Sequence, residues 1–210
     1  MALKQYTVGV VLFEGFTVLD VYGPVQAFAV AFEPGPPGTP PNRLFKISMV
    51  AEQAGPVKSG EGPATIADYA FADAPAFDIL LIPGGMGTRP GVSNQPLLDA
   101  IDAAAGRSAY VTTVCTGTAL LARTGRLDGR RATSNKMAWQ WVTEQGPAVD
   151  WVRQARWVDD GNIVTSSGVS AGIDMALALI ARLHGVEVAE RSAKVMEYLW
   201  NREPDHDPFA

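Results

Sequence analysis

Four apolar runs of strand length punctuate the chain, at Tyr6–Phe13, Leu44–Val50, Ile79–Ile82 and Tyr110–Val114. They are too continuous for a sheet with one wet face and suit strands covered on both sides, as in a mainly parallel sheet. Segments of helical period lie between and after them. One begins near Pro24, one covers Gln95–Ala105, and one follows Cys115 and stops at Gly125. Three more fit Ser134–Gln145, Ser170–Leu183 and Val186–Trp200, and Trp151–Val158 with Asn162–Thr165 reads as a strand pair around the turn Asp159–Gly161. Strands alternating with helices predict an α/β sandwich. The stretch Glu33–Asn42 (EPGPPGTPPN) holds five prolines and reads as a surface loop after the first helix.

Composition narrows the class. The chain has 210 residues, 47% hydrophobic and 19% charged, the profile of one ordinary globular domain spanning 1–210. A net charge of −5 and scattered basic residues give no reason to expect nucleic acid as a partner. One cysteine excludes an internal disulfide framework, and two distant histidines make no metal cluster. The apolar run near the N-terminus is short and followed by Glu14, so it reads as a buried strand, and no segment is long enough to span a bilayer. A soluble, cytoplasmic protein is expected.

Three strand ends carry candidate chemistry, because ligand sites in open α/β sheets lie where strands hand over to loops. In YVTTVCTG, Cys115 stands where a strand turns sharply into a helix. Such a turn presents a nucleophile above the sheet edge, and a thiol at a helix start is biased toward thiolate. A buried structural thiol is the plainer alternative. The backbone N–H of Thr116 would point into the same space. Asp20, in the apolar setting VLDVY, is either an N-cap for a helix starting close by or an acid/base group that meets Cys115. Gly84 and Gly85, after the buried strand and Pro83, are either a plain turn or an anion or oxyanion site. His184 is explained by its place at a helix end and His206 by a polar tail. Trp139 and Trp141 could line a hydrophobic substrate pocket, but two apart in a helix they do not share a face, so at least one is expected in the core. Ser170 and Asp174 read as helix-capping or anchoring residues.

Taken in order, VGVVLFEGFTVLDVYGP, LLIPGGMG, VCTGTALLARTGRLDGRRATSNK and TSSGVSAGIDMALALIARLHG resemble the ThiJ/PfpI superfamily, relatives of the class I glutamine amidotransferases, over nearly the whole chain. The resemblance implies a flavodoxin-like three-layer sandwich with a mainly parallel sheet, a cysteine on a strained nucleophile elbow, a homodimer, and a small-molecule substrate with neither metal nor organic cofactor. Position by position, Cys115 matches the nucleophile, Asp20 the acidic residue that contacts it, and Gly85 and Thr116 the backbone donors of the oxyanion site. The LD-x-x-GP and C-T-G forms look most like the isonitrile hydratase branch and the amidotransferase-like domains of some transcriptional regulators; a chain of this length leaves no room for a helix-turn-helix domain, which counts against the regulators. Many relatives carry a histidine where this chain has Asn135, which can hydrogen-bond a substrate or water but cannot act as a base near neutral pH. Peptidase or glyoxalase chemistry built on a Cys–His pair is therefore in doubt. The resemblance implies a cysteine-dependent hydratase converting an isonitrile to an N-substituted formamide. The rivals are an enzyme of reactive carbonyls and a non-enzymatic cysteine redox sensor.

Overall fold

The computed structural model of the protein describes residues 3–210. Its centre is a seven-stranded sheet of β1 (Tyr6–Val11), β2 (Phe45–Ala51), β3 (Tyr69–Ala70), β4 (Ile79–Ile82), β5 (Tyr110–Thr113), β6 (Trp157–Asp160) and β7 (Ile163–Ser166). The spatial order is β6-β7-β5-β4-β1-β2-β3, and every neighbouring pair is parallel except the antiparallel β6–β7. Helices α1 (Val18–Ala29), α5 (Ala171–His184) and α6 (Val186–Val195) pack together as one layer. Helices α2 (Gln95–Arg107), α3 (Gly117–Arg123) and α4 (Trp139–Gln145) form the other, joined by the helical turn Thr88–Gly91. Every residue of β4 is buried, as its unbroken ILLI run requires in a sheet covered on both faces. The result is the expected flavodoxin-like three-layer sandwich.

Chain direction across the sheet fixes where a ligand can sit. The path runs outward from β1 through β2 to β3, then returns to the other side of β1 at β4 and continues through β5 to β7. The reversal opens a crevice beyond the ends of β1 and β4, the topological switch point of such folds. Segments 12–20, 83–89 and 114–117 all leave the sheet at this edge.

Several boundaries differ from the sequence reading. Helix α1 starts at Val18 rather than near Pro24, which lies inside it. The Val18 N–H donates to the Glu61 carboxylate at 3.0 Å, so its start is capped from a residue far away in sequence. Asp20 thus sits in the first helical turn and is not the N-cap. The expected helix from Ser134 begins only at Trp139, because side chains take over the backbone groups before it. Asn135 Oδ1 accepts from Ala138 N–H at 2.9 Å, and Ser134 Oγ donates to the Cys115 carbonyl at 2.6 Å. Helix α6 ends at Val195 rather than Trp200, with Glu197 at φ 51° just beyond. The expected strand Trp151–Val158 is split: Asp150–Trp151 pairs with Arg131–Ala132 in a separate ribbon, and only Trp157–Asp160 joins the main sheet. The proline-rich stretch forms the exposed connection between two short paired strands, Phe32–Glu33 and Asn42–Arg43.

Candidate active site

Cys115 follows β5 with φ 57°, a left-handed backbone that a non-glycine residue adopts at a cost on the order of 1–3 kcal/mol. Its surroundings enforce the strain. The Cys115 N–H donates to Ser167 O at 3.1 Å, and Val114 N–H before it donates to Ile82 O at 3.0 Å. Its carbonyl accepts from Ser134 Oγ and, at 3.3 Å, from Thr118 Oγ1. Behind it, a side chain at Gly117 would stand 2.4 Å from Ile82 O, so α3 can press onto the end of β4 only with glycine there. This is the sharp strand-to-helix turn that the sequence suggested.

Asp20 reaches the same spot from the first turn of α1. It is fully buried, and its Oδ2 accepts from the Gly84 N–H at 2.9 Å. The Cys115 thiol is close enough to favour the charged carboxyl, yet Oδ1 has no hydrogen-bond partner of ordinary geometry among the described residues. Burial dominates and raises the Asp20 carboxyl to about 7, against the pull of the Gly84 N–H. Burial, and then the Asp20 charge, push the Cys115 thiol up to about 12. The N–H groups of Thr116 and Val169 and the Asn135 side chain favour the thiolate but do not outweigh that. The expected bias toward thiolate at rest is therefore overturned. At a thiol this buried, a seven-residue helix does not offset desolvation, and a neighbouring carboxylate raises the cost of a second charge.

The glycine pair divides its work differently from the sequence reading. Gly84 N–H, expected at an anion or oxyanion site, donates here to Asp20 Oδ2. Gly85 N–H donates to the Thr116 hydroxyl at 3.1 Å, which also accepts from Thr88 Oγ1 at 3.1 Å. At φ 133°, with Gly15 O only 2.3 Å from where a Cβ would stand, position 85 tolerates nothing but glycine. Asn135 enters the cleft beside Cys115, its Oδ1 spent on Ala138 N–H and its amide toward the thiol.

The cleft over the thiol is lined by Thr17, Met86, Arg89, Met137, Ala138 and Val169 in addition to Gly85, Cys115, Thr116 and Asn135. Sequence reasoning named none of those six. Val169 is the most instructive: φ 45° is out of character for a β-branched residue, and nothing in GVSAG signals it. Trp139 and Trp141 are both half-buried, the first edge-on to Trp151 and the second beneath Arg89. Neither belongs wholly to the core. His184 packs edge-on against Tyr6 and Phe45 at the opposite sheet edge, and His206 is exposed in the tail. Ser170 occupies the N-cap position of α5 but makes no side-chain capping bond. Among the described residues no three His, Cys, Asp or Glu side chains stand together as a metal site, and no helix is long and apolar enough to cross a membrane.

Comparison with known proteins gives a consistent picture. The DJ-1/PfpI family model matches residues 6–182. Isonitrile hydratase of Pseudomonas putida is 33% identical over 200 residues, covering 94% of this chain and 79% of that protein. The HTH-type transcriptional regulator GbdR of Pseudomonas aeruginosa is 29% identical over 95% of this chain, which spans only 53% of the regulator. A crystal structure of a ThiJ/PfpI family protein from Pseudomonas syringae superposes with a TM-score of 0.81 at 30% identity, covering 98% of this chain and 78% of that one.

Proposed function

The chain belongs to the DJ-1/PfpI family, and on that premise we propose that it is a cysteine-dependent hydratase of small carbon electrophiles, acting on isonitriles. The observation that carries the reading is a buried carboxyl of raised pKa placed against a thiol on a strained elbow, with no histidine beside them. The likeness to isonitrile hydratase over 94% of the chain supports the same choice.

In this mechanism the proton and the charge move together. As the sulfur of Cys115 bonds to the terminal carbon of R–NC, its proton passes to the Asp20 carboxylate. Asp20 then delivers that proton to the same carbon, giving the thioimidate R–N=CH–S. Thr116 and Val169 N–H groups, which already face the sulfur, stabilise its charge as the proton leaves. Asp20 next takes a proton from water as the hydroxyl adds to the carbon, and returns it to nitrogen. The tetrahedral adduct collapses, its hydroxyl proton goes to the departing sulfur, and R–NH–CHO leaves with the thiol restored. Net addition is one water, and the covalent route divides one hard step into two easier ones. A carboxyl near 7 suits both giving and accepting the proton.

The same reading includes a homodimer, supported by apolar side chains left exposed on α1 at Leu19 and Tyr22 and nearby at Ile66, and light scattering of the purified protein tests it.

The test is formamide production from cyclohexyl isocyanide by the wild type, Cys115→Ala and Asp20→Asn. Turnover by the wild type, lost in Cys115→Ala and reduced by a hundredfold or more in Asp20→Asn, is the expected result, since a positioned acid/base contributes about 10²–10⁴-fold. A folded wild type that makes no formamide removes the assignment. Lactate from methylglyoxal would then indicate a carbonyl enzyme, and oxidation of Cys115 by peroxide without any turnover a sensor.

A further inference from the structure

The outer wall of the cleft holds a guanidinium with nothing to bind. Arg89 lies on the helical turn Thr88–Gly91, four residues past Gly85, and lines both the space over Cys115 and the adjoining groove beside Gln140 and Glu144. Its central carbon sits 3.5 Å from the centroid of the Trp141 ring. That stacking fixes the plane of the fork while leaving its N–H edge uncommitted. Among the described residues the Arg89 side chain makes neither a hydrogen bond nor an ion pair, and Glu144 in the same groove is instead beside the Gln140 amide at 3.3 Å. Lys136 and Arg156, by contrast, are spent. Lys136 ends on Thr133 Oγ1, Ser134 O and Ala155 O, with Asp207 behind it, and Arg156 is clamped by Asp174. Arg89 is also close enough to Cys115 for their charges to interact.

We propose that Arg89 recognises an anionic group on the substrate, so that the electrophile attacked by Cys115 carries a carboxylate or a similar planar oxyanion a few atoms from its reactive carbon. The inference rests on Cys115 being the nucleophile, as in the hydratase reading. A pre-oriented fork matches a carboxylate in two-point fashion, and the exposed Met86 and Met137 leave the rest of the opening without another charge. The buried Asp20 opposes an incoming anion only while ionised, and the Arg89 fork on the outer wall supplies the opposite charge.

Two alkylating agents that differ only in charge read this without any turnover. Iodoacetate and iodoacetamide both form a sulfur–carbon bond to Cys115, expelling iodide and releasing the thiol proton to water. Cys115 is the only cysteine of the chain, so the mass shift reports that site, with Cys115→Ala as background. The ratio of the two rate constants, normalised to the ratio for free cysteine, cancels any effect of Arg89 on thiol acidity. The expected normalised ratio favours iodoacetate about tenfold in the wild type, falls to that of free cysteine in Arg89→Gln, and is largely kept in Arg89→Lys. Three results overturn the proposal: no preference in the wild type, a preference unchanged in Arg89→Gln, or both rates falling together with the ratio intact. Steady-state kinetics supply the second arm, with Arg89→Gln expected to raise KM for isocyanoacetate about tenfold more than KM for its methyl ester. Equal changes for acid and ester overturn the proposal. Absence of turnover with every isonitrile overturns the hydratase reading alone, because the alkylation ratio still decides the role of Arg89.

Discussion

The Gly84 N–H donates to Asp20 Oδ2 at 2.9 Å, so the loop leaving β4 holds in place a carboxyl delivered by the helix that follows β1. The two strands are neighbours across the switch point, and the bond ties both sides of the crevice together beneath the thiol. It also leaves Oδ1 buried and unpartnered, the condition in which a carboxyl gains most from keeping its proton.

From that arrangement a pH dependence follows. The form that can start the reaction has Asp20 ionised, ready to receive the thiol proton. With the carboxyl raised to about 7, kcat/KM with cyclohexyl isocyanide should climb through an apparent pKa near 7 and level off above it. In Asp20→Asn that limb should vanish along with most of the rate. A wild-type profile flat from pH 5 to 9, or an Asp20→Asn profile that keeps the limb, would assign the titration elsewhere.

Asp20→Asn should have a second, opposite effect on the thiol. Burial is the larger cause of its raised pKa and the Asp20 charge the next, so removing the charge lowers the pKa without returning it to the ordinary value. The variant should thus be alkylated by iodoacetamide faster than wild type at alkaline pH while turning over more slowly. Thiolate absorbance followed across the titration checks this directly. An unshifted thiol would mean the two groups do not feel each other.

Stability carries the same signature. A carboxyl whose folded pKa is raised from 3.8 to about 7 binds a proton in the folded state that the unfolded chain has already released. Its contribution is fully present below about pH 4 and is lost as the pH rises through 7. At pH 8 the fold carries a buried charge costing on the order of a few kcal/mol. Asp20→Asn should therefore raise Tm relative to wild type by several degrees at pH 8, with the gap narrowing towards pH 4. A gap independent of pH would be fatal to this account.

How much of this was legible in the sequence depends on the range of the forces involved. The strands Tyr6–Val11 and Ile79–Ile82 announce themselves because a two-sided burial demand acts on Val8–Val11 and on all of Ile79–Ile82. The elbow at Cys115 was legible because a cysteine between a β-branched run and Thr-Gly has few ways to sit. The start of α1 was not: its cap is Glu61, supplied from the turn that joins the paired strands Gly55–Lys58 and Ala64–Ala67. The loop Ser134–Ala138 deceived for the opposite reason. Its residues tolerate a helix, and the tertiary acceptor at the Cys115 carbonyl outbids the helical turn. Val169 and Arg89 gave no signal at all, since a strained valine and an unpaired arginine are exceptional only in relation to what surrounds them.

The tail is fastened by Asp174, and its removal should be the most damaging single change away from the cleft. Arg156 places Nε at 2.7 Å and a terminal nitrogen at 2.6 Å from Asp174 Oδ2, while Oδ1 accepts from Tyr198 Oη at 3.1 Å and Asn201 N–H at 3.0 Å. Asp207, farther along the tail, is buried against Lys136 and Arg156 at 3.6 and 3.7 Å. Charges this deep add little to stability as pairs, because their desolvation roughly cancels their attraction. Breaking one is different. Asp174→Ala strands the buried Arg156 cation and two further donors, the Tyr198 hydroxyl and the Asn201 N–H, and should cost about 3–5 kcal/mol, read from denaturant unfolding. Since Phe209 and Lys136 line the groove next to Val169, the loosened tail should also change the alkylation rate of Cys115. Asp174→Asn, which keeps an acceptor but loses the charge, should fall between. The double variant Arg156→Leu with Asp174→Leu should recover much of the loss, as no unpaired charge remains. If Asp174→Ala alone unfolds within 1 kcal/mol of wild type (about the worth of an exposed pair), the cluster is not the fastening of the tail.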